Sequence, residues 1–85
     1  MTVRYERERG YYVTAIEAGE EFDLVLADPG GDEDRVVTTV RGSSERLPAL
    51  LFVSEPVAFR AARRFVDTGR RSRRCQWRDI FLTGI

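Results

Sequence analysis

The sequence predicts an α+β domain: a twisted, mostly antiparallel sheet of five to six strands with one amphipathic helix, at about residues 55–68, on one face. Three observations predict it. Short runs of aromatic and β-branched residues are punctuated by glycine and proline turns through the first half. A single stretch with helical apolar spacing follows. A run carrying the only tryptophan, Trp77, comes last. With 85 residues the chain is one domain, 1–85, and its 42% apolar and 33% charged residues are those of a globular protein with a thin core.

Residues 2–8 alternate, with Val3 and Tyr5 on one side and Arg4, Glu6 and Glu8 on the other, which reads as a strand with a watered polar face. Gly10 interrupts it, and Tyr11 to Ile16 resumes as the second arm of a hairpin. Because Tyr11 and Tyr12 are adjacent in a strand they point to opposite faces, and Tyr12 is the one taken as exposed to a partner. Ala18-Gly19-Glu20 is a turn, and Phe22 to Ala27 is a third strand. Asp28-Pro29-Gly30-Gly31-Asp32 is the strongest turn signal, since proline presets one dihedral and glycine accepts positive φ. Arg35 to Arg41 reads as a strand, Gly42-Ser43-Ser44 ends it, and Leu47 to Val53 reads as a short buried strand.

The helix has a complete set of boundary signals. Ser54 can cap it, Pro56 sits in the first turn where a missing N–H is harmless, and Gly69 is a natural stop. At about 100° per residue, Ala58, Phe59, Ala61, Ala62, Phe65 and Val66 share an arc of about 160°, opposite Arg60, Arg63, Arg64 and Asp67. Ala58, Ala62 and Phe65, with Trp77, are the expected helix–sheet core, so that Phe65→Asp should unfold the domain by burying an unpaired charge. The arginine-dense loop Arg70-Arg71-Ser72-Arg73-Arg74 precedes a last strand through Cys75-Gln76-Trp77 and Ile80-Phe81-Leu82.

Composition excludes much chemistry. There is no histidine, which removes the commonest general base and metal ligand, and a single Cys75 allows neither an internal disulfide nor a thiolate cluster. No catalytic residue, metal or cofactor is expected, and the chain reads as a non-enzyme. No apolar run approaches the ~18 residues of a membrane span, and residues 1–10 lack the apolar centre of a signal peptide, so a cytoplasmic location is expected.

Zero net charge hides a division. Residues 1–40 hold ten carboxylates and four arginines (net −6), and residues 41–85 hold the reverse (net +6). Within the acidic half, Glu17, Glu20, Glu21 and Asp23 lie close together. Asp28, Asp32, Glu33 and Asp34 follow around the next turn. The spacing fails for an EF-hand, so the choice is between a solvated edge and a docking surface for a cationic partner. The basic half offers a different reading: a small nucleic-acid-binding module built on Arg63, Arg70, Arg71, Arg73 and Arg74. A neutral chain with no interleaved aromatic platform apart from Trp77 argues against it.

The run from Val53 to Arg71, with its Ala58, Ala61, Ala62, Phe65, Thr68, Gly69 and Arg70, followed by Cys75-Gln76-Trp77, resembles the first immunity-protein family of bacterial polymorphic toxin systems. The likeness spans residues 53–77 and describes a helix, a threonine–glycine–arginine stop and a tryptophan-bearing strand. Arg71-Ser72 stands where members often carry a proline after the arginine. The resemblance implies a cytoplasmic, non-enzymatic inhibitor that binds the toxic domain of a cognate effector, often a nuclease or nucleic-acid deaminase. A cationic active-site cleft would then be covered by the acidic residues above together with Tyr12, with neither membrane nor nucleic acid as partner.

Overall fold

The structure is a computed structural model and describes residues 1–40 and 43–79. It is α+β, with strands β1 (Thr2–Glu6), β2 (Gly10–Ala15), β3 (Leu24–Ala27), β4 (Arg35–Val40) and β5 (Ser43–Pro48), a helix α1 (Glu55–Thr68), and a strand β6 (Gln76–Arg78). These strands do not form one sheet. Four make an antiparallel sheet in the order β1-β2-β3-β6, and β4 and β5 form a separate two-stranded sheet. The expected single sheet of five to six strands is thus corrected to four plus two. The expected segment 80–82 lies outside the described residues.

The division follows from where the chain can bury its side chains. Tyr11, Val13 and Ala15 point to one face of β2, and Tyr12 points to the other. On the first face Val13, Leu26 and Val53 meet Ala58 and Ala61 of the helix, with Tyr11, Val57, Cys75 and Trp77 around them. On the second face Tyr12, Val25 and Ala27 meet Leu47, Leu50, Leu51 and Phe52, with Val36 alongside. The sheet is therefore the middle layer between α1 and the β4–β5 hairpin. Two thin apolar interfaces stabilise it rather than one thick core.

Residues 47–53, expected as one strand, instead carry the chain between those layers. Pro48 ends β5, Ala49–Leu51 is a 3₁₀ turn, and Val53 makes an isolated antiparallel bridge to Tyr11. Phe52 belongs to the hairpin-side cluster and Val53 to the helix-side cluster, so the crossing occurs between them. Both bridge hydrogen bonds are made: Tyr11 N–H donates to the Val53 carbonyl at 2.8 Å, and Val53 N–H to the Tyr11 carbonyl at 2.9 Å. Gly10 permits this approach. Its φ is +118°, and a Cβ there would lie 2.6 Å from the Val53 oxygen.

The helix begins and ends where its boundary residues place it. Pro56 lies in the first turn, and Gly69 adopts φ 70° in the left-handed region while its N–H donates to the Phe65 carbonyl at 2.7 Å. Ser54 occupies the cap position, but its side chain makes no cap hydrogen bond; its backbone carbonyl instead accepts from Ala58 N–H at 2.9 Å. The buried stripe is narrower than expected. Ala58 and Ala61 are fully enclosed, whereas Ala62 and Phe65 are half-buried, Phe59 is half-exposed and Val66 is exposed. The helix lies over β2, so only residues directed at β2 and β3 find a cover.

Candidate functional site

At about 100° per residue, Val57, Ala58, Ala61 and Phe65 centre on the sheet. Ala62, Val66 and Phe59 fall on one side and Arg60 and Arg64 on the other, with Thr68 at the carboxyl end of the helix beside those arginines. The two flanks carry different chemistry, and each borders a different neighbour.

The apolar flank leans toward β1, an edge strand. Val3 pairs with Val13 and Tyr5 with Tyr11, so Val3 and Tyr5 share the helix-side face. α1 leaves both of them exposed. Tyr5 is 61% exposed and Phe59 50% exposed, and both rings lean on Tyr11, with centroids 5.2 Å and 5.5 Å away at tilted angles. Partial burial first, then the Glu55 carboxylate and Tyr5, push the Tyr11 phenol above its ordinary value. The expected polarity of β1 is inverted as a result. Arg4 and Glu6, read as watered, are half-buried on the hairpin side, where the Arg4 guanidinium lies 5.3 Å from the Tyr12 ring centroid and 3.9 Å from Glu6 Oε2.

Tyr12 is accordingly not an exposed partner-binding residue. It is 6% exposed, at the centre of the hairpin-side cluster with its ring 5.7 Å from Phe52. Sequence alternation separated the two tyrosines correctly, but it could not tell which face a second layer would cover.

The arginine flank forms a basin. Arg60, Arg64 and Thr68 make one wall, and the loop bearing Arg70, Ser72, Arg73 and Arg74 makes the other, around a cavity of about 630 Å³. Thr68 Oγ1 ties the walls together, donating to the Arg64 carbonyl at 2.8 Å and accepting from Arg70 N–H at 3.1 Å. Trp77 anchors the far side of the loop: its indole N–H donates to the Ser72 carbonyl at 3.0 Å while the ring packs in the helix-side cluster. Arg63, assigned to the basic surface from sequence, does not line this basin; Arg60 and Arg64 do.

Arg71 lies at the basin's edge but spends its charge inward. Its guanidinium donates to both carboxylate oxygens of Glu20 at 2.5 Å and to the Ala15 carbonyl at 3.1 Å, and its backbone N–H donates to Glu17 Oε2 at 2.9 Å. These side-chain hydrogen bonds, with the Glu17 N–H, hold the Glu20 carboxyl down at about 2, against the small opposing effect of burial, and the same partner raises Arg71 further.

The remaining acidic residues are dispersed. Glu17, Glu20, Glu21 and Asp23 lie in the loop before β3, and Asp28, Asp32, Glu33 and Asp34 in the loop after it, at opposite ends of that strand. Glu33 pairs with Arg78 at 2.7 Å. Asp28 accepts from Gly30 N–H and Asp32 from Asp34 N–H, so both shape their own turn. Among the described residues no three carboxylates or thiols come together as a metal site. No described helix is long and apolar enough to cross a membrane.

Compared with family models, with curated proteins and with solved structures, the chain matches none.

Proposed function

We propose that this chain is a cytoplasmic, non-enzymatic immunity protein that binds and inhibits a cognate bacterial toxin domain acting on nucleic acid. The observation that carries the reading is the aromatic face that the described residues leave uncovered, formed by Val3 and Tyr5 of β1 with Tyr11 and Phe59. A small protein that leaves Tyr5 and Phe59 half exposed or more, both leaning on Tyr11 beside a strand at the edge of the described sheet, has the chemistry of an interface centre, where aromatic anchors dominate binding. The helix, the left-handed Gly69 stop and the Trp77 strand that carry the family resemblance also support it.

In this reading the acidic residues act at the rim. Glu21 and Asp23 have no ion-pair partner among the described residues, and their loop lies at the end of the sheet where Thr2 pairs with Thr14. There they speed encounter with a cationic partner more than they hold it. Self-protection needs nanomolar affinity or better, about −12 kcal/mol.

The test is co-expression with the terminal domain of any large secreted protein encoded immediately upstream of this gene. The wild-type protein should restore growth and bind the domain tightly. Tyr5→Asp combined with Phe59→Asp should stay folded and lose about 2 kcal/mol or more of binding, with growth no longer restored. Failure of the wild-type chain to protect at all sinks the reading.

A further inference from the structure

The arginine basin lies on the opposite flank of α1 from the aromatic face, and the proposed inhibition makes no use of it. We propose that it is a binding site for a compact polyphosphate group, such as inorganic polyphosphate or the phosphate chain of a nucleotide. Three features of the basin select that chemistry.

First, most of its cations are not neutralised by any described residue. Among the described residues Arg60, Arg64, Arg70, Arg73 and Arg74 have no carboxylate within ion-pair distance, whereas Arg71 beside them has two. Like charges gathered around one concavity repel one another, and a multivalent anion is what relieves them. Guanidinium groups suit phosphate in particular, because their planar donor pairs match two oxygens at once.

Second, the backbone of both walls of the basin is held in place. Arg60 and Arg64 stand one helical turn apart on a stable α1 wall. The facing loop is pinned at both ends, by Thr68 Oγ1 to Arg70 N–H and by the Trp77 indole to the Ser72 carbonyl. Arg74 N–H also donates to Ser72 Oγ at 3.3 Å. The open basin, about 630 Å³, is wide enough for a short phosphate chain.

Third, the positive field is local. Glu17 and Glu20 bound it on one side through Arg71, and among the described residues no aromatic ring lines the basin, since Trp77 is turned into the helix-side cluster. A polynucleotide would have to run past those carboxylates with no surface on which to stack its bases. A ligand with its charge concentrated at one point meets neither obstacle.

Titration calorimetry at about 50 mM salt, where the charges are least screened, tests this with two probes, inorganic tripolyphosphate and ATP. Both should bind at one site. Arg64→Ala with Arg73→Ala should weaken both at least about tenfold, and Arg73→Ala alone should weaken them in part. Arg7→Ala, on the distant hairpin turn, should bind as wild type. Equal affinity for the two probes assigns recognition to the phosphates alone, and a clear preference for ATP assigns it to a nucleotide. Absence of binding by either probe to the wild-type protein overturns the proposal. So does equal weakening by Arg7→Ala, which would mean diffuse charge, or much tighter binding of a short single-stranded oligonucleotide through the same arginines.

Discussion

Residues 17–34 carry eight carboxylates and residues 60–74 carry seven arginines, so in sequence they look like mirror images. In the fold they part company. β3 runs through the middle of the acidic stretch, and Val25, Leu26 and Ala27 are buried between two other layers. The strand therefore throws four carboxylates to each of its ends, where Glu17, Glu20 and Glu33 are taken up by Arg71 and Arg78. The arginine stretch contains no such strand. Arg60 and Arg64 lie on one flank of a helix and Arg70, Arg73 and Arg74 in the loop that folds back along that flank. Five of the seven charges therefore stay gathered and face solvent, while Arg63 lies outside the basin and Arg71 turns to Glu17 and Glu20. Charge density along a chain becomes a surface feature only where the intervening backbone does not have to cross the core.

Removing the strand's anchor should break this contrast with the largest effect. Leu26 is fully enclosed between β2 and β6, and Leu26→Ala should cost about 2–5 kcal/mol, read from the urea unfolding midpoint. A cost near zero would mean that β3 does not hold the acidic loops apart.

A smaller change should sharpen it. Glu20 ionises in the folded protein at about 2 rather than 4.5, so the stability it contributes is complete above about pH 4.5 and is lost as the pH falls from there toward 2. Arg71→Gln removes the partner responsible. The melting temperature should fall by a few degrees at neutral pH, and the remaining decline across that acidic window should be shallower than in the wild type. An unchanged pH profile would show that the two charged regions are not coupled through Arg71.

The smallest effect is expected on the arginine side. Arg64 has Arg60 one turn before it and no acidic partner among the described residues, so Arg64→Gln should leave stability within about 0.5 kcal/mol of wild type or raise it slightly. A marked loss of stability would show that the basin is structural.

Much of the architecture was legible because it depends on neighbours in sequence. The helix runs over Glu55–Thr68 as its periodicity, Pro56 and Gly69 require, and the first hairpin turns between Glu6 and Gly10. The α+β class follows from those elements. The separate β4–β5 sheet was not legible, because strand signals state that a segment is extended but not which strands it pairs with. Of the candidate site, the loop Arg70–Arg74 was visible as composition. The contribution of Arg60 and Arg64 was implicit in the helical wheel, yet which side of α1 meets that loop depends on how the helix lies on the sheet.

Tyr5, Tyr11, Tyr12 and Phe59 show where local reasoning stops. Alternation along a strand places Tyr12 opposite Tyr11, and the sequence alone settles that. Which of the two faces is sealed depends on the Leu47–Phe52 segment arriving from elsewhere in the chain, and it covers Tyr12 while leaving Tyr5 open. Periodicity is set by backbone geometry within a few residues, whereas burial is set by whichever distant segment packs on top, and only the tertiary structure decides that.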